Sequence, residues 1–191
     1  MSELLVVDLC GTLVYDNTTH SFLQQLPDGA GLVRSMLLSR IGHALGARLP
    51  ALNHRRRLAA TLAGCPRQRL SAAATAYARH ALATRARPEV LRQVKEAGRQ
   101  VVLASASLDV VVSAFAAELQ IPVCVSTELE YDTLGVCTGR ILRDSTGCKL
   151  ARLTEALGRS PGRFDLITDN PEDTDLMQAA VRVQFIEAAS D

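Results

Sequence analysis

The sequence predicts an α/β protein, a doubly wound parallel sheet interrupted after its first strand by an all-helical insert. Three observations carry that expectation. Short runs of consecutive apolar residues recur at 4–7, 101–104 and 123–125, and a mostly apolar one at 164–168; such runs suit strands covered on both faces. The segments between them show apolar residues at three- and four-residue spacing, so strands alternate with helices and should pair in parallel. Residues 17–85, by contrast, contain no strand-like run and are rich in alanine and arginine.

Taken in order, the run Leu4-Leu5-Val6-Val7 ends in Asp8 and breaks at Gly11. A buried strand would deliver that carboxylate to its carboxyl end, where open α/β sheets place ligands. A turn-capping role for Asp8 is the alternative that these residues alone leave open. A helix over 18–26 stops at Pro27. Leu32, Met36, Leu37, Ile41, Ala44 and Leu45 then mark an amphipathic helix ended by Pro50, and further helices are predicted over 51–63 and 72–83. Pro88 opens a helix reaching Ala97, strand 101–104 leads into Ser105, and 108–119 is helical. After the strand at 123–125, residues 128–141 alternate weakly around Gly135 as a hairpin. A helix over 149–157 ends at Gly158, strand 164–168 delivers Asp169, and a last strand falls at 181–186. The expected organisation is a Rossmann-like core from 1–16 and 86–191 with a helical cap at 17–85.

A chain of 191 residues, 48% hydrophobic and 21% charged, can bury a full core as a soluble protein, and no stretch approaches the apolar length of a membrane span. The start Met1-Ser2-Glu3 lacks a basic leader, and five cysteines without CxxC spacing suggest a reducing compartment rather than a disulfide frame or zinc site. The expectation is a cytoplasmic protein. Charge is unevenly spread: residues 17–85 hold ten arginines, no lysine and Asp28 as their only acid, giving +9 and leaving −8 for the rest. Such a split suggests two parts with different tasks.

Asp8, Ser105 and Asp169 each follow an apolar strand, so a parallel sheet would bring them to one crevice, and Lys149 opens a nearby helix. Two carboxylates suit Mg²⁺, a hydroxyl and an ammonium suit phosphate oxygens, and Asp173 can support the metal shell. Phosphoryl transfer needs such a set, because its catalysis is mostly positioning and charge neutralisation. Other roles stay open. Ser105 or, better placed, Ser107 could cap the following helix, and Asp173 and Asp175 could be helix N-terminal acids.

The stretch Asp8-Leu9-Cys10-Gly11-Thr12-Leu13-Val14 resembles the DxDGT signature of the haloacid dehalogenase superfamily. Ser105, Gly147-Cys148-Lys149 and Thr168-Asp169-Asn170-Pro171-Glu172-Asp173 are similar to its second, third and fourth motifs. With a helical insert after the first motif, the chain looks most like the phosphoserine-phosphatase-like branch. The resemblance implies a Mg²⁺-dependent phosphomonoester hydrolase in which Asp8 attacks phosphorus and forms an aspartyl-phosphate. Asp8, the Cys10 carbonyl and Asp169 would hold Mg²⁺, with Asp173 steadying the shell. Ser105 and Lys149 would bind the phosphoryl oxygens. Thr12, which orients the loop, and Ala106, beside Ser105, would complete the contacts to a small phosphorylated substrate. His20, close after the first motif, is a further candidate contact.

Cys10 departs from the pattern, standing where the phosphatases carry a second aspartate as general acid and base. A thiol titrates near about 8.5 rather than as a carboxylic acid, so slow turnover is expected. A phosphoryl transferase and a catalytically weak phosphate-binding or regulatory protein are the alternatives. Dehalogenation leaves the Asp169 and Asp173 pair without a task, and the insert lacks the lysine that phosphonate hydrolases use. The spacing Cys137 to Arg143 satisfies C-x₅-R, but it lies in the predicted hairpin and is read as coincidence.

For the +9 insert three partners are conceivable: a substrate with negative charge beyond its phosphoryl group, an anionic membrane surface met by the 32–49 helix, and nucleic acid, which the low aromatic content disfavours. A solvated arginine-rich surface is the plainest reading, and Arg55-Arg56-Arg57 is assigned to it. The oligomeric state is not encoded in any visible feature.

Overall fold

The computed structural model describes residues 2–26 and 51–187. Its strands are β1 (Leu4–Val7), β2 (Gln100–Leu108), β3 (Val123–Tyr131), β4 (Cys137–Arg143), β5 (Phe164–Thr168) and β6 (Arg182–Phe185). Its helices are α1 (Thr18–Gln25), α2 (Ala51–Ala60), α3 (Arg67–Thr84), α4 (Pro88–Lys95), α5 (Asp109–Glu118), α6 (Lys149–Leu157) and α7 (Thr174–Ala179).

Every residue of β1 is buried, because the strand is covered on both faces. Leu5 and Val7 enter one apolar cluster and Leu4 and Val6 another, the two-residue alternation of a strand between two helical layers. The six strands lie in the order β4-β3-β2-β1-β5-β6, all parallel except β4, which returns antiparallel on β3. This is the predicted fold class. Val7 is level with Leu103 of β2 and Ile167 of β5. Asp8 after β1, Asp169 after β5 and Ser105 within β2 therefore lie within one residue of the same level at the carboxyl edge.

Within the insert all described elements are helical, and they share the larger apolar cluster with the sheet. Tyr77 of α3 stands between Phe22 of α1 and Phe115 of α5, with ring centroids 6.1 and 5.9 Å away. Phe22, Leu58, Leu70 and Tyr77 belong to the same cluster as Val7 and Leu103. The β4 strand also leans on the insert. At Gly139 (φ +77°) an added Cβ would stand 2.9 Å from the Ala63 methyl and 3.1 Å from the Ala60 Cα.

Several boundaries differ from expectation. β2 continues to Leu108 instead of ending at Ala104, so Ser105 and Ser107 lie in the strand. Ser107 does not cap α5: the capping position is Leu108, without a side-chain bond, and the Ser107 hydroxyl is taken up by Thr18 and Thr19. The helix predicted at 72–83 begins at Arg67, and the one predicted to reach Ala63 ends at Ala60. Cys137 and Arg143 lie at opposite ends of β4, and Arg143 is bonded to Glu155 and close to Glu128, so the two form no phosphate loop. Among the described residues no helix is long and apolar enough to cross a membrane. The helix predicted over 32–49, and with it the suggested contact to an anionic membrane surface, falls outside the described residues.

Candidate active site

Asp8 leaves β1 into a turn rather than a further strand residue, because Gly11 takes a left-handed conformation (φ +71°). A Cβ there would come within 2.0 Å of Asp169 Oδ2, so only glycine lets the loop and that carboxylate meet. Thr12 fixes the same contact: its hydroxyl donates to Asp169 Oδ1 and accepts the Asp169 N–H, both at 2.8 Å. The Gly11 carbonyl accepts from Arg87 Nε at 2.8 Å. Thr12 is fully buried and is not among the described residues that line the cavity; its bonds hold the loop against Asp169.

Lys149 opens α6, and its ammonium donates to Asp8 Oδ1 and to Asp173 Oδ2, both at 2.8 Å and almost fully buried. Asp173 also accepts from Thr168 Oγ1 at 2.8 Å and from Asn170 Nδ2 at 3.2 Å. Oδ2 takes the bonds from Lys149 and Thr168 and Oδ1 the one from Asn170, so Asp173 sits behind the site and holds Lys149 in place. Asp175 completes this support, since its Oδ2 accepts the Leu150 N–H at 2.7 Å and so anchors the first turn of α6.

Burial pushes the Asp8 carboxyl up to about 6 against the pull of Lys149, with Asp173 and Asp169 adding to the rise. Burial alone would lower the Lys149 ammonium, but Asp8 and Asp173 outweigh it and hold it above its ordinary value. At neutral pH the pair is therefore ionised.

Asp8, Cys10, Ser105, Ala106, Lys149, Asp169 and His20 line one cavity of about 350 Å³. Cys10 lines the same space as Asp8, although the chain turns after Val7 and no regular strand carries on to position 10. Its sulfur lies 2.9 Å from Thr18 Oγ1 and 3.9 Å from Ser105 Oγ. The Thr18 hydroxyl donates to Ser107, so the thiol is the donor to Thr18. Burial pushes the Cys10 thiol up and the Asp8 charge adds to it. Cys10 is thus a neutral thiol with its proton turned toward Thr18.

Arg55 was assigned to a solvated run, but it also lines the cavity. Its guanidinium donates to the Ala106 carbonyl at 3.2 Å and to the Thr146 hydroxyl, and lies 3.6 Å from Asp144. A run of three arginines gives no sign of which one faces inward. The polar run Asn17-Thr18-Thr19 directly after the first motif was a usable signal for the cavity's other wall.

Two carboxylates, Asp8 and Asp169, face the cavity. Among the described residues no group of three His, Cys, Asp or Glu side chains is placed to hold a metal. An oxygen set of two carboxylates, supplemented by loop carbonyl and water, fits a hard cation that keeps several waters, as Mg²⁺ does. The close seating of Asp169 against the Gly11 turn gives that set a fixed geometry.

The family model for haloacid dehalogenase-like hydrolases matches residues 5–178, nearly the whole chain. The chain belongs to that family. Among solved structures, a protein of unknown function from Bordetella pertussis Tohama I is 21% identical, with a TM-score of 0.76 over 96% of this chain and 89% of that one. A phosphoserine phosphohydrolase-like protein from Francisella tularensis is 18% identical, with a TM-score of 0.59 over 93% and 82%. A substrate-bound phosphoserine phosphatase complex is 15% identical, with a TM-score of 0.60 over 96% and 85%. At these identities the likeness is one of fold. No curated protein matches the sequence.

Proposed function

We propose that the protein is a Mg²⁺-dependent phosphomonoester hydrolase working through an aspartyl-phosphate on Asp8, and that Cys10 makes its turnover slow. The observation that carries this is Asp8 itself, an ionised carboxylate at the centre of the sheet edge, bonded to Lys149 and facing a cavity shared with Ser105 and Asp169. A divalent cation held by Asp8, Asp169 and the Cys10 carbonyl would offset charge on the transferring oxygens. Asp8 forms the new O–P bond in line as the bond to the substrate alcohol breaks. Lys149 orients Asp8 and, with the Ser105 hydroxyl, binds the phosphoryl oxygens. Thr12 and Gly11 keep Asp169 against the loop, and Asp173 keeps Lys149 in reach.

The departing alcohol needs a proton, and the water that later attacks the aspartyl-phosphate must lose one. Cys10 serves neither need well, because its proton is committed to Thr18 and its thiol is held neutral. This same observation favours the second reading, a phosphate-binding protein that has kept the pocket and lost turnover. Mg²⁺-dependent release of phosphate from a panel of phosphomonoesters separates the two: release abolished by Asp8→Asn supports hydrolysis. Phosphate binding with no release, and no phosphorylation of Asp8, would make the protein a binding module.

A further inference from the structure

The wall of the cavity comes from different elements than its floor. Leu58 of α2, Leu108 at the end of β2 and Ile141 of β4 line it, beside Asn17 and His20 at the start of α1. Leu58 lies three residues beyond Arg55 on α2, so both belong to one helix face. The only carboxylates among the described lining residues are Asp8 and Asp169, at the floor. Asp144, beside the wall's one arginine, is already engaged by Arg55, Thr127 and Thr146. Residues 27–50, outside the described ones, contain a single acid, Asp28.

A substrate with an ammonium beyond its phosphoryl group would lose hydration in this wall without gaining a carboxylate, a costly exchange. A second acid on the substrate would share Arg55 with Asp144, which already offsets its charge. An apolar body, in contrast, is buried against Leu58, Leu108 and Ile141 without bringing in an unpaired charge. A cavity of about 350 Å³ is at the small end for small-molecule sites, enough for a phosphoryl group and a single ring or short chain.

We infer that the substrate, on the phosphatase reading above, is a phosphomonoester of an uncharged and largely apolar alcohol, and that the wall rejects amino-bearing phosphates. The test is calorimetric binding of inorganic phosphate, benzylphosphonate, aminoethylphosphonate and phosphonoacetate to the full chain with Mg²⁺. Benzylphosphonate should bind at least about tenfold tighter than either charged phosphonate, as expected from burying one ring's apolar area. Asn17→Asp supplies a control with gain of binding. Asn17 caps α1 by accepting the His20 N–H, and aspartate caps equally well, so the variant adds a carboxylate to the wall without removing the cap. Its affinity for aminoethylphosphonate should rise about tenfold relative to benzylphosphonate, as a new close charge pair would give. Should phosphate bind while aminoethylphosphonate or phosphonoacetate matches benzylphosphonate, or should the folded variant show no shift, this inference is overturned and the phosphatase reading stands. If neither phosphate nor any phosphonate binds, the phosphatase reading falls and takes the inference with it.

Discussion

Replacing Cys10 by aspartate tests whether one side chain limits turnover. The sulfur lies 2.9 Å from Thr18 Oγ1 and 3.9 Å from Ser105 Oγ within the cavity lined by Asp8. A carboxyl there reaches further into the cavity than a thiol and, when protonated, can donate to Thr18 Oγ1 as the thiol does. Burial and the Asp8 charge, which push the thiol up, would likewise raise the new carboxyl toward neutral pH, where a group can both give and take a proton. A positioned acid-base group is worth about 10²- to 10⁴-fold. On an alkyl phosphate, which needs the proton, steady-state turnover of Cys10→Asp should rise at least about 10²-fold, or about 2.7 kcal/mol. On an aryl phosphate with a good leaving group, the parent protein should show a burst followed by a slow phase, and the variant should accelerate the slow phase alone. Rapid-quench kinetics resolve the two phases, and Cys10→Asn provides the same shape without a proton. An unchanged steady-state rate in a folded Cys10→Asp protein, or equal gains from aspartate and asparagine, would refute the reasoning.

Three other outcomes follow from the geometry. Because protons and Mg²⁺ compete for Asp8, whose carboxyl is raised to about 6, Mg²⁺ affinity should fall as pH drops below that value and level off above it, as calorimetry between pH 5 and 8 would show with a slope of roughly tenfold per unit. Lys149→Met leaves Asp8 and Asp173 buried without their shared cation and should destabilise the fold by about 3–5 kcal/mol in urea unfolding at pH 7. The Asp8 share of that cost should shrink toward pH 4, since a raised acid is neutralised on the way down. Gly11→Ala meets a left-handed backbone penalty of about 1–2 kcal/mol and a Cβ contact of 2.0 Å with Asp169 Oδ2; it should weaken Mg²⁺ binding more than it lowers the melting temperature.

The middle of the sheet was legible because β1, β2 and β5 carry aliphatic runs, as strands buried on both faces require. The same runs located Asp8, Ser105 and Asp169, since each sits just past them, and the register of β1 with β2 and β5 brings Ser105 and Asp169 to within one residue of the level of Asp8. Lys149 was found from its place at a helix start together with the rarity of lysine. What the sequence could not supply was the direction of side chains in irregular backbone. Cys10 lies between the end of β1 and the left-handed Gly11, where no strand or helix period tells which way its thiol turns. Arg55 cannot be told from Arg56 and Arg57 without knowing how α2 is rotated, and its partners Ala106, Asp144 and Thr146 are distant in sequence. The cap left open for Ser107 could not be decided from the sequence, because the Thr18 and Thr19 hydroxyls that engage it are distant along the chain.

The central claim, that Asp8 becomes covalently phosphorylated, is tested most directly by trapping it. The protein is mixed with Mg²⁺ and an aryl phosphate, quenched within the burst, reduced with borohydride and mapped by peptide mass spectrometry. An aspartyl-phosphate at position 8 should be converted to homoserine, and its share should be larger in the parent protein than in Cys10→Asp, which discharges it faster. Phosphate release with Asp8 unmodified at every quench time would contradict the account.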